Sequence, residues 1–450
     1  MTDPKAIEKV RAADLEIQNG SPAKAISLCD EVLQLNPHCA EAHFVMSVAL
    51  TAMQDLSRAV SHLEKLIVLR PDLPEVHFNL GTLLARQCQY ERAEIALRTA
   101  LTLRPAFLDA AVNLARLWTK IGRYAEAVHM LQKAVRFQPE NPELPLELSQ
   151  ALAQAGRFSE ARDAASLAVQ LNPESIEYRI RYAVALQAAG EAPAAVNELK
   201  YALRQHPQNN EAAFLLSAIT KDQESLRAPV EYVSRLFDEY APGFERHLRE
   251  KLDYRGPEQL FELVTHSDPE RIWNILDLGC GTGLCGQVFR PVASTIMGLD
   301  LSAEMIRLSR DSGSYETLEQ GDLLEFLAAT QHQFDLILAA DVLSYFGDLT
   351  DVVRLCASRL CNTGVLAFTV EALEFAAEPC EPHSDFALLN TRRFAHSRTY
   401  LERVTKQFGL TAVSIVEKPL RRNPIEPIPA WICMFRKTEA STETPASSLS

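Results

Sequence analysis

The stretch "NILDLGCGTGLCG", residues 274–286, decides how the second half of the chain is read, because it holds two overlapping glycine patterns. From Gly281 it reads Gly-x-Gly-x-x-Gly (Gly281, Gly283, Gly286), a spacing associated with dinucleotides. From Asp277 it reads Asp-x-Gly-x-Gly-x-Gly, through Gly279, Gly281 and Gly283. A dinucleotide fingerprint sets its first glycine at the turn where the first strand ends, and its third against the sheet in the following helix. The strand "WNILDL" ends before Gly279, so Gly279 is the turn residue and Leu284 stands where the third small residue is needed. The match beginning at Gly281 is two residues out of step, which disfavours a nicotinamide-dependent oxidoreductase.

In the other register each feature has a task. Gly279, Gly281 and Gly283 let the backbone pass close to a bound nucleoside and amino-acid moiety, where a Cβ would collide. Asp277 can fix the loop through backbone amides or reach a ligand's ammonium group. The next strand, "STIMGLD", ends in Asp300, 21 residues after Gly279, and a carboxylate there is placed to accept both hydroxyls of a ribose. "QGDLL" brings Asp322 to an adenine amino group, beside the apolar walls Leu301, Met305 and Leu323. The bland reading of Asp300 and Asp322 is that they cap strand ends.

Taken together, "DLGCGTG", "GLDLS", "GDL" and "FDLILAADVLSYF" resemble the four motifs of the class I S-adenosylmethionine-dependent methyltransferases, over about residues 269–437. The resemblance implies a Rossmann-like α/β domain with a seven-stranded, mostly parallel sheet and an antiparallel carboxy-terminal strand. Strands are expected near 273–278, 294–300, 315–319, 334–339, 364–370, 411–418 and 429–436. It also implies S-adenosylmethionine as cofactor, with Ala340 near its methionine part. The acceptor is expected after the fourth strand, where Asp341 or Tyr345 can orient or deprotonate a hydroxyl or amine. Asp341 serves equally well as a helix cap. His396 is a further candidate base. Tyr240 and Phe244, four apart on an amphipathic helix, are candidates to close over the cofactor, with Gly243 as a hinge.

The first half has a different period. Prolines 37, 71, 105, 139, 173 and 207 stand 34 residues apart, and the second helix of each unit carries an alanine at one fixed position: Ala25, Ala59, Ala93, Ala127, Ala161 and Ala195. So small a side chain suits a close helix crossing. Between the two helices of a unit lies a turn with Gly20, Gly122, Gly156 and Gly190, replaced by Gln54 and Cys88 in the second and third units. Proline biases the preceding residue away from the helical region. These residues resemble six tetratricopeptide repeats over 6–207, followed by a capping helix at "NNEAAFLLSAIT", 209–220. The resemblance implies a groove for a protein or peptide, with Asn79, Asn113 and Arg181 at one shared position facing it.

The expected organisation is an all-α repeat array (1–220), a linker with amino-terminal helices (221–268), a methyltransferase domain (269–437) and a disordered tail (438–450). The whole is similar to predicted bacterial methyltransferases that carry such repeats at their amino terminus. A formal charge of -14 and the lack of a basic run argue against nucleic acid as a main partner. No 18-residue apolar run and no secretory leader are present, so a cytoplasmic chain is expected. Nine cysteines without a Cys-x-x-Cys pair favour neither a disulfide framework nor a metal site. The function expected is methyl transfer to an unidentified acceptor recruited by the array. The alternative is an interaction scaffold whose second domain binds the cofactor without turnover.

Overall fold

The computed structural model describes residues 4–438, apart from 222–224, 242–243, 247, 249–251, 376–383 and 424–425. Contacts divide the chain into two units, Met1–Glu191 and Ala192–Ser450. The expected hinge Gly243 and the tail beyond residue 438 lie outside the described residues.

The first unit is a run of paired antiparallel helices, from Pro4–Gln18 to Ile176–Ala188. Each pair folds because an apolar stripe on one helix meets its partner, and the alanine at the crossing admits close approach. Ala25, Ala59, Ala93, Ala127 and Ala161 have no exposed surface. Around them Leu63, Leu66, Leu97, Leu114 and Leu131 are buried in one continuous core, each contributing about 2 kcal/mol of burial. Second helices end in extended residues such as Asn36, Arg70 and Arg104 just before the repeat proline, as proline's clash with the preceding residue requires. Asn79 and Asn113 lie half-buried on the first helices Pro74–Arg86 and Leu108–Lys120, and Arg181 on Ile176–Ala188. Asn113 donates to Thr82 Oγ1 at 3.0 Å, so it already bonds to the neighbouring repeat.

By contacts the division falls after Glu191, within the sixth expected repeat and ahead of the boundary expected at residue 220. Helices Ala192–Gln205 and Asn210–Thr220 belong to the second unit. The latter is the expected cap, started by Asn209, whose side chain accepts from the Ala212 amide at 2.8 Å. Its buried Phe214 lies against Tyr232 (5.3 Å between centroids) and Phe394 (6.4 Å), and its Glu211 pairs with Arg235.

The rest of the second unit is a nine-stranded sheet: β1 Trp273–Leu278, β2 Ala293–Asp300, β3 Thr317–Gln320, β4 Phe334–Ala339, β5 Leu360–Ala372, β6 Phe386–Leu388, β7 Phe394–His396, β8 Leu410–Asn423 and β9 Glu426–Lys437. The order β3-β2-β1-β4-β5 is parallel throughout; β9 then pairs antiparallel with β5, and β8 with β9. Strands buried on both faces read as nearly continuous apolar runs, as "WNILDL" and "FDLILA" do. The seven expected strands are present, and β6 and β7 are two short additions, with β7 beside the end of β5.

One expectation changes: "PLRRNPIEPIPA" is mostly paired strand, with β8 and β9 in register from Leu410↔Lys437 to Asn423↔Glu426. Pro427 and Pro429 are tolerated because β5 reaches only as far as Ala430, so β9 has a partner on one side there. No described helix is long and apolar enough to cross a membrane.

Candidate active site

The order of strands reverses at β1, between β2 and β4, and in open α/β sheets ligands sit beyond the carboxyl ends of the strands at such a point. A cavity of about 360 Å³ lies there. Its floor is the turn after β1, where Gly279 and Gly281 take positive φ (65° and 55°). A Cβ on Gly279 would stand 2.3 Å from Val342 Cγ2, whereas one on Gly281 would meet only Phe244, at 4.0 Å. Glycine is therefore fixed at Gly279 by space as well as by conformation, and Gly281 opens into the cavity. Gly283 lies outside it: at φ 96° it starts helix Leu284–Phe289, and a Cβ there would crowd Ser312 Oγ at 2.9 Å.

Asp277 is not among the residues that line the cavity, and among the described residues its carboxylate bonds to a side chain and not to the loop amides. Its Oδ2 accepts from the Tyr315 hydroxyl at 2.7 Å, and that hydroxyl accepts from the Gly286 amide at 3.0 Å. Its Oδ1 is buried without a hydrogen bond among the described residues. Burial raises its carboxyl to about 7. Tyr315 was not foreseen from the sequence, although Gly286 and Gly298 signal it. A Cβ on either would stand within 3.0 Å of its ring.

Asp300 ends β2 facing the turn. Its Oδ2 accepts from the Gly281 amide and its Oδ1 from the Ser302 amide, each at 2.9 Å. Burial raises its carboxyl to about 6, and these two amides partly offset that. A carboxylate has about four acceptor positions, and three backbone amides, of Gly281, Ser302 and Leu301, bear on this one, which leaves room for a further donor. Ser302 also donates to Asp238 at 2.5 Å, tying helix Val230–Tyr240 to the same corner. Leu301 and Leu323 line the cavity, while Met305 is buried beneath it with its amide on Ser302 Oγ.

Asp322 lines the cavity with most of its acceptor positions already taken. Its Oδ1 caps helix Leu323–Ala329 through the amides of Leu324 and Glu325, and its Oδ2 pairs with Arg227. The cap reading is realised, and Arg227, lying over the Phe346 ring at 4.5 Å, is a cation at this end that the motif did not signal.

At the other end Ala340, Asp341 and Tyr345 follow β4. Asp341 has φ 63° and does not cap the next helical turn, which starts from Val342. Its carboxylate is held between Arg393 and Arg421 (2.6 Å). Glu371, at the end of β5, accepts through one oxygen from both Arg393 Nε (2.7 Å) and Arg421 Nη2 (2.6 Å). Arg393 further donates to the Tyr345 hydroxyl at 3.1 Å and to Ser344 Oγ at 2.8 Å. Burial opposes the Arg393 charge, but Asp341, Tyr345 and Glu371 outweigh it and keep the guanidinium protonated. Burial also holds the Tyr345 phenol above its ordinary value. Asp341 is thus an ion-pair partner, its charge balanced by two guanidinium groups.

His396 is removed from this site. It is fully buried in β7, its Nε2 lies 3.0 Å from the Gly347 carbonyl, its ring stacks on Tyr400, and burial lowers it to about 4. Tyr240 lines the cavity at 38% exposure, edge-on to Phe244, which in turn meets Phe237. Cys280 and Cys285 line it as well, with thiols that burial keeps protonated.

This arrangement offers a diol acceptor at Asp300, a bare backbone at Gly281, apolar flanks, and a polar cluster beyond them. The family model described as "Methyltransferase domain" matches residues 276–366, and two described as "Tetratricopeptide repeat" match 16–86 with 120–179, and 78–142. The chain carries tetratricopeptide repeats and a methyltransferase domain. The methyl donor that this domain and this cavity fit is S-adenosylmethionine. Among similar curated proteins is a malonyl-[acyl-carrier protein] O-methyltransferase of Enterobacter lignolyticus, 29% identical over 32% of this chain and 56% of its own. Another is a ubiquinone biosynthesis O-methyltransferase of Thiobacillus denitrificans, 31% identical over 21% and 42%. The chain spans about half the length of these relatives. Among solved structures, the N-methyltransferase NodS of Bradyrhizobium japonicum in complex with S-adenosyl-L-homocysteine is 21% identical over 41% of this chain and 86% of that one, with a TM-score of 0.32.

Proposed function

We propose that this cytoplasmic protein transfers the methyl group of S-adenosylmethionine to an acceptor that enters at the Asp341 and Tyr345 end of the cavity. The repeats recruit a protein partner or substrate through the face carrying Asn79, Asn113 and Arg181. One observation supports the reading: Asp300 stands at the tip of β2, opposite the bare backbone of Gly281, with acceptor capacity left on its carboxylate.

The bound cofactor supplies a methyl group already activated on a sulfonium, so the residues have to hold, align and shield. Asp300 takes the ribose hydroxyls. Leu301 and Leu323 flank the adenine, with Asp322 and Arg227 at its edge. Ala340 leaves room for the methionine part. Tyr240 and Phe244 cover the site against water.

Titration calorimetry with S-adenosylmethionine tests the core of this. The full-length protein binds and the Asp300→Ala variant binds roughly a hundredfold more weakly; no binding by either leaves only an interaction scaffold. Recruitment is tested in the full chain with Asn79→Ala, Asn113→Ala and Arg181→Ala combined. Tethering raises local acceptor concentration, so KM for a protein acceptor rises with kcat held. An unchanged KM removes the recruiting role.

A further inference from the structure

We propose that the methyl acceptor is a carboxylic acid, bound by Arg421 and Tyr254 and methylated on an ionised carboxylate oxygen. This rests on the methyl-transfer reading above and names its substrate class.

The first argument is the state of the bases. An alcohol, a phenol or an ammonium group must lose a proton to attack a methyl carbon, and a positioned base takes it. At this end of the cavity both described carboxylates are ion-paired. Asp341 lies between two guanidinium groups, Glu371 is shared by the same two, and the Tyr345 oxygen accepts from Arg393. His396 is outside the cavity. Asp300 is at the nucleoside end. A carboxylic acid, with an ordinary pKa near 4, arrives at neutral pH without a proton to remove.

The second argument is a surplus of donors. Arg421 has five N–H groups; two serve Asp341 and Glu371, which leaves three. Its side chain, 12% exposed, lines the cavity. Tyr254 lines the cavity too, near enough to Asp341 and Arg421 to feel their charges, and burial keeps its phenol protonated as a donor. Its segment is tied to β8 beside Arg421 by the Arg255 amide on the Leu420 carbonyl (3.3 Å) and Gln259 Nε2 on the Pro419 carbonyl (3.0 Å). Two arginines against two carboxylates are balanced in charge, so an incoming anion meets free N–H groups without displacing an existing pair. The remaining walls, Phe237, Phe244, Leu248, Leu252 and Pro257, suit an acid with an apolar body.

The step balances without an external base. One carboxylate oxygen forms the new O–CH₃ bond, the S–CH₃ bond breaks with its electron pair left on sulfur, and no proton is transferred. The products are a methyl ester and S-adenosylhomocysteine.

The test incubates the full-length protein with S-adenosylmethionine tritiated in the methyl group and a whole bacterial extract, proteins and small molecules together. 4-Hydroxybenzoate and 4-aminobenzoate run alongside, since each offers a carboxylate beside a competing phenol or amine. Alkali releases ester label as volatile methanol and leaves ethers and methylamines intact. Alkali-labile label is the expected result. Label that survives alkali overturns the carboxylate and leaves methyl transfer standing, whereas calorimetry showing no cofactor binding removes the reading beneath it. Binding without transfer overturns both. With the labelled acid as substrate, Tyr254→Phe and Arg421→Lys raise KM at least tenfold at unchanged cofactor Kd, and Arg421→Gln raises it further. The Tyr254→Phe variant removes a single oxygen and decides the matter if Arg421→Gln does not fold; an unchanged KM in Tyr254→Phe and Arg421→Lys overturns the assignment.

Discussion

The same left-handed backbone conformation occurs in both units for different reasons. In the array it ends the first helix of each unit, at Gly20 (φ 72°), Gln54 (61°), Cys88 (56°), Gly122 (81°), Gly156 (73°) and Gly190 (83°). A Cβ at those glycines would meet nothing within 4 Å, and two of the six positions carry a side chain. At Gly279 the φ is 65°, but Val342 occupies the space a Cβ needs. Repetition tolerates local strain because each turn is one of several equivalent ones. The turn after β1 has no equivalent.

The largest expected effect follows from that contrast. Gly279→Ala adds left-handed strain of about 1 kcal/mol to a clash costing about 1–3 kcal/mol, whereas Gly122→Ala carries the strain alone. Chemical denaturation of both variants checks it, and equal losses would erase the distinction. Next, Asp300→Ala removes a charged acceptor for two hydroxyls and weakens S-adenosylmethionine by about 3 kcal/mol, or roughly a hundredfold. The six-alanine set of the array has no counterpart: Ala127→Ser leaves cofactor affinity unchanged by calorimetry.

The third effect concerns pH. The free-protein carboxyl of Asp300 titrates at about 6, and the diol needs it ionised. Affinity is therefore flat above about pH 7 and falls as pH drops through 6, by about tenfold per unit below it. The dependence vanishes in Asp300→Asn, where the weakened affinity no longer varies over pH 5–7. The smallest effect returns to the array. Gln54→Gly relieves a left-handed residue and raises stability by about 0.5–1 kcal/mol, read as a shift in the denaturation midpoint.

Period made the helices and strands legible. A spacing of 34 residues placed each alanine and proline, and apolar runs bounded by glycine placed seven strands within a few residues, except where β8 and β9 run on toward each other. The positions of the glycine turn and of Asp300 are legible because they are local: a strand ends, and a carboxylate stands opposite the Gly281 amide. The polar cluster was not. Arg393, Arg421 and Glu371 come together from the start of β7, from β8 and from the end of β5, and no spacing announces that meeting. In "RFAH" the histidine drew attention, while the arginine three residues earlier faces the cavity. Asp322 was placed rightly on the cavity wall, but its partner Arg227 lies 95 residues away in sequence.

The position of Phe214 bears on how the gene can be cut. Its ring rests on Phe394, the neighbour of Arg393, so a truncation at residue 220 strips a wall from the catalytic unit and lets a cluster of charges loosen. A shortened chain beginning before Ala192 keeps that wall. Whole 34-residue cassettes upstream are the natural units to add or drop, and engineers wishing to exchange the repeat array should splice there.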